Sequence, residues 1–139
     1  MTDRAEELIE EGYAARNGGK LDVALDRYRA AAEALRCVVQ PQRLAHTVRH
    51  VADIERQMGS LDAAEADYFE ALAIYRDDSR TGKLDLANTL RGYALLREAR
   101  GDLKAASEMW SEAGKLYADV GVQAGVDEAE RRVKKFGAV

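Results

Sequence analysis

Apolar residues recur along the chain in three sets with the same spacing. Ala24, Tyr28, Ala31 and Leu35 form the first, Ala64, Tyr68, Ala71 and Tyr75 the second, and Ala106, Trp110, Ala113 and Tyr117 the third. Steps of four, three and four residues put each set on one face of a helix, with polar residues between. The order small, aromatic, small has a packing reason. Alanines let two helix axes approach, and the aromatic side chain between them fills the space against the preceding helix. A glycine turn precedes each set: Gly19-Lys20-Leu21-Asp22-Val23-Ala24, Gly59-Ser60-Leu61-Asp62-Ala63-Ala64 and Gly101-Asp102-Leu103-Lys104-Ala105-Ala106. Each glycine predicts the end of one helix, where a left-handed conformation costs least without a Cβ. Ser60 and Asp102 are then placed to cap the helices that follow.

The turn glycines lie 40 and 42 residues apart. A second signal agrees, because Leu44-Ala45-His46-Thr47-Val48-Arg49-His50-Val51-Ala52 matches Leu86-Ala87-Asn88-Thr89-Leu90-Arg91-Gly92-Tyr93-Ala94 at an offset of 42. Small residues Gly12, Ala52 and Ala94 hold equivalent places upstream of the turns, with Leu8, Val48 and Leu90 one helical turn before them. The pattern predicts three helix hairpins, about 5–38, 45–78 and 87–118. Pro41 is suited to open a helix. A further helix over about 122–136 carries Val122, Val126, Ala129 and Val133 on one face, and Lys134 and Lys135 near its end suit the negative pole of the helix dipole. It is expected to cap the apolar face of the last hairpin. Seven helices in one domain, 1–139, are predicted.

These glycine turns and alanine–aromatic–alanine stripes resemble the tetratricopeptide repeat over roughly residues 5–118. The units here are longer than the family's usual 34 residues and are similar to the long variant found in kinesin light chains. Arg36, Arg76 and Ala118 stand where the family commonly has its closing proline. The resemblance implies an all-α, right-handed superhelical solenoid whose concave wall is lined by the first helix of each hairpin, and a scaffold that holds a peptide or helix there. Groove-facing residues would be Glu6, Ile9 and Tyr13, then His46, Arg49, His50 and Asp53, then Asn88, Arg91 and Leu95. Arg49 and Arg91 occupy equivalent places and would stack into a short cationic ladder, suited to an acidic partner. The family's carboxylate clamp is absent, since Ile9, Tyr13 and Asn88 stand where it needs lysine and asparagine, and Gly92 where it places its final arginine. A plainer reading of these charges is that they solvate an exposed helix face.

Gly92, inside a helix, either lets a ligand approach the backbone or allows close helix packing. His46, His50 and Asp53 share one face and could hold a divalent metal, although Arg49 beside them would repel a cation. Self-association, as a homodimer or as the assembly subunit of a larger complex, is the other alternative.

Composition narrows the classes. With 21 Lys and Arg against 25 Asp and Glu, the formal charge of −4 disfavours nucleic acid as a partner. Cys37 is the only cysteine, which excludes an internal disulfide and predicts a buried, inert thiol. The acidic segment Met1 to Glu7 does not read as a signal peptide, and no apolar run is long enough for a membrane span, so a cytoplasmic protein without membrane association is expected. No phosphate loop, dinucleotide fingerprint or nucleophile elbow appears, so neither catalysis nor a cofactor is expected.

If the alanines mark close helix contacts, Ala64→Leu should overpack one and lower stability by about 1–3 kcal/mol in urea unfolding. An unchanged midpoint would count against the seams.

Overall fold

A computed structural model describes residues 3–137; Met1, Thr2, Ala138 and Val139, including the first two residues of the acidic N-terminal segment, lie outside the described residues. The described residues form seven α-helices and no strand. They fall into two compact units that divide between residues 78 and 79. The first holds α1 (Arg4–Asn17), α2 (Leu21–Arg36), α3 (Pro41–Gln57) and α4 (Leu61–Arg76). The second holds α5 (Lys83–Ala99), α6 (Leu103–Asp119) and α7 (Gln123–Phe136). Within each unit consecutive helices pack on one another as in a helical repeat. Among the described residues, no helix is long and apolar enough to cross a membrane.

The three predicted turns share one geometry. Gly19, Gly59 and Gly101 have φ of 76°, 83° and 79°, a region that favours glycine. The next residue's N–H reaches back to a helix carbonyl, Lys20 to Ala15 and Ser60 to Glu55 at 2.8 Å, and Asp102 to Arg97 at 2.9 Å. This is the double closure that satisfies the last carbonyls of a helix. A fourth copy, not anticipated from the sequence, joins α6 to α7. Gly121 has φ 74°, and the Val122 N–H donates to Tyr117 O at 2.9 Å. The expected capping helix thus packs on α6 and forms a hairpin with it.

All twelve residues of the three stripes are buried, none more than 3% exposed. Small residues face the aromatics across each seam. A Cβ on Gly12 would stand 2.9 Å from the Tyr28 ring, and one on Gly125 would stand 2.4 Å from the Tyr117 ring. Gly114 faces Ala129 in the same way, 2.9 Å from its would-be Cβ to the alanine methyl. Gly92 is buried within α5. Pro41 occupies the first turn of α3, as predicted.

Three local expectations need correction. Ser60 makes no side-chain cap, whereas Asp102, on nearly the same backbone conformation, accepts from the Ala105 N–H at 3.3 Å. The aspartate is one atom longer and reaches the amide; serine stops short. Cys37 is exposed, because it follows Leu35, the last buried residue of α2, and sits where that helix ends. On α7 only Ala129 of the apolar stripe is buried; Val122, Val126 and Val133 stay half-exposed.

Alanine is the better helix former by about 0.5–1 kcal/mol, so Gly125→Ala would stabilise a free helix. Here the added methyl meets the Tyr117 ring, and a net loss of about 1 kcal/mol or more is expected in urea unfolding. A raised midpoint would mean α6 and α7 are not this close.

Candidate functional site

The candidates on α1 and α3 come together in the first unit. Ile9, Tyr13 and Arg16 lie at steps of four and three residues on α1 and so share a face. Ile9 is half-buried against the cluster of Ala24, Leu25, Tyr28, Val51 and Ile54, Tyr13 is 62% exposed, and Glu6 is exposed. Arg16 reaches across to α3, its guanidinium 3.2 Å from His50 Nδ1 and 3.4 Å from Gln57 Oε1. His50 is stacked on Tyr28, with ring centroids 5.1 Å apart and planes 9° from parallel. His46, exposed, meets the edge of His50 at 4.6 Å.

This packing fixes the state of His50. Burial first, then the charges of Arg49, His46 and Arg16, push its pKa down to about 3. The imidazole is therefore neutral at pH 7. Arg16 has only donors, so the Nδ1 facing it accepts and the proton sits on Nε2.

Arg49 and Asp53 belong to a buried polar seam. Arg49 donates to Asp53 Oδ2 at 2.9 Å, and its side chain is only 11% exposed. The Arg49 Nε is buried without a hydrogen-bond partner among the described residues. Asp53, 8% exposed, accepts a short hydrogen bond from the Tyr68 hydroxyl, which in turn accepts from Arg56 Nε at 3.1 Å. Asp53 thus ties α3 to α4. For the metal alternative, that carboxylate is already engaged, and among the described residues no three His, Cys, Asp or Glu side chains are grouped to hold an ion.

In the second unit the candidates also serve helix seams. Arg91 forks onto Glu128 of α7, with Nε–Oε1 at 2.6 Å and a second contact at 3.2 Å. Asn88 Oδ1 accepts from the Tyr117 hydroxyl at 2.7 Å. Leu95 is half-buried against the cluster of Ala94, Ala106, Trp110 and Ala129. Both arginines of the expected ladder therefore already hold a carboxylate from their own unit.

Two features escaped the sequence reading. Arg16 was findable, since it continues the Ile9–Tyr13 face by one turn. The second is a groove of about 460 Å³ between α6 and α7, floored by Gly114 and Ala129 and walled by Val126 and Val133. Its signal was the α7 valine stripe, expected to cap the last hairpin. No protein-family model matches the chain, and no curated protein matches it.

The His50 shift gives a pH dependence with a definite sign. The folded pKa, about 3, lies below the ordinary 6.5, so the unfolded chain takes up this proton first. The stability contributed by neutral His50 is complete above about pH 6.5 and is lost as pH falls toward 3. His50→Phe keeps a ring over Tyr28 and cannot titrate. Its melting temperature should fall less between about pH 6.5 and 5 than that of the wild type; equal slopes would show that another group carries the acid sensitivity.

Proposed function

We propose that the chain is a tetratricopeptide-like scaffold that binds a peptide or helix on the face formed by α1 and α3. In this reading the hairpins continue as a right-handed solenoid, and Tyr13, Arg16 and His46 make the first contacts. The observation that carries it is the exposure of Tyr13, 62%, one helical turn from Arg16, whose guanidinium meets the His50 ring stacked on Tyr28. An exposed aromatic at a cationic, pre-ordered face is what a partner surface needs, because little conformational entropy is lost on binding.

The neighbouring charges favour an acidic partner. Arg16 supplies positive potential, while neutral His50 contributes none. Arg49 adds little to it, since the Asp53 carboxylate 2.9 Å away offsets its charge. Buried aromatic seams repeated three times support the scaffold reading, as they are the part of the chain that resembles the repeat family. Cytoplasmic residence is part of the same proposal.

The test uses acidic and basic peptide arrays of equal length and hydrophobicity. Acidic peptides should be retained, and Tyr13→Ala with His46→Ala should weaken them by about tenfold, roughly 1.4 kcal/mol. Both positions are exposed, so the melting temperature should hold. Equal capture of basic peptides, or undiminished capture by the double variant, rules out this face as the binding site.

A further inference from the structure

The repeat logic leaves two apolar surfaces unused, one in each unit, and their shapes and charges complement each other. The first is on α4. Ala66, Phe69 and Ala73 lie at steps of three and four residues on its outer face, all exposed, with Phe69 67% exposed. At the same register α2 carries Asp26, Arg29 and Glu33, and α6 carries Glu108, Ser111 and Lys115. Only α4 places the order small, aromatic, small on this side. In the three repeat stripes, by contrast, that order is buried.

The second surface is the groove between α6 and α7. In the first unit the corresponding part of α2 is covered: Ala32, with Val48 of α3, lies against Ala71 of α4. Counting from Ala24 and Ala106, the residue of α6 that matches Ala32 is Gly114. Gly114 instead lines the open groove, with Ala118 beside it and Val126, Ala129 and Val133 opposite. Its small floor and branched walls have the form that accepts a helix bearing one large ring between two alanines. Lys115 and Lys134 stand at its rim with a single acid, Glu130, so the rim keeps one net positive charge. Asp62 at one end of the α4 stripe and Arg76 and Asp77 at the other are all exposed, so its ends keep one net negative charge against the one net positive charge of the rim.

We propose that the α6/α7 groove of one molecule receives the outer face of α4 from a second copy of this chain, with Phe69 inserted as the knob. The contact is heterologous: the knob and the groove are different surfaces, so each bound molecule still presents one of each. Such contacts propagate into chains or close into rings rather than stopping at a two-fold dimer. One helix in one groove is a small interface, and self-affinity on the order of tens of micromolar is expected.

The experiment is sedimentation velocity of the full chain across a range reaching several hundred micromolar (an upper bound well above the ~10–100 μM expected). Two single variants are included, Phe69→Asp and Ala118→Arg. Both residues are exposed, and circular dichroism melts verify that the variants fold. The wild type should show mass rising with concentration, and each variant alone should be monomeric. Mixed together, the two should form a complex of one copy each, because the first keeps an intact groove and the second an intact knob. A wild type that is monomeric throughout overturns the proposal. Association that survives Ala118→Arg but not Phe69→Asp overturns it too, since that result means Phe69 faces pair with each other. Failure of the mixture to assemble when the wild type does assemble has the same consequence.

Discussion

The close approach of helices at seams of alanine and glycine governs this chain. Where two such helices meet, a single large ring from one fills the gap left by the small residues of the other, as Tyr28 does over Gly12 and Tyr117 over Gly125. The attraction is dispersion and apolar burial, individually small and summed over many atoms. It also sets a geometric limit, because the distance between axes is fixed by what is missing from a side chain. Turns, register and polar contacts all follow from that spacing.

Once helices are so close, polar groups beneath them must find partners inside the seam. Tyr68 donates to Asp53, the Trp110 indole donates to Glu98, and Tyr117 donates to Asn88. Glu98 also holds Arg132 of α7 at 2.6 Å. Each pair joins neighbouring helices and satisfies buried polar atoms that would otherwise cost stability. Charged residues that look like ligands in the sequence are in this way drawn into structural work, as Asp53 and Arg91 are. What remains for recognition is the part of a face that no neighbouring helix claims.

Much of the fold was legible because periodicity and glycine turns are local. Gly19, Gly59 and Gly101 announced their turns through residues next to them, and the stripes announced their buried faces. The turn at Gly121 was hidden because Val122-Gln123-Ala124 does not continue with the leucine and alanines of the other three. Cys37 and Ser60 depart from expectation for equally local reasons, the first two residues beyond the last buried residue of α2 and the second one atom short of an amide. The candidate site was less legible. Periodicity placed Tyr13, His46, Arg49 and His50 on suitable faces, and these lie in one unit. It could not tell which charge would be consumed by a partner helix, because that depends on the register between helices distant in sequence, such as Arg91 with Glu128 or Arg16 with His50.

The stacking of His50 on Tyr28 bears on the environments in which such a face can operate. Histidines near binding surfaces commonly make affinity respond to mild acidification. Here one of the two rings has been taken out of that range by its own packing. Much of the electric field around Arg16 therefore stays constant as the surroundings move from neutral to mildly acidic, because the ring that faces it stays neutral.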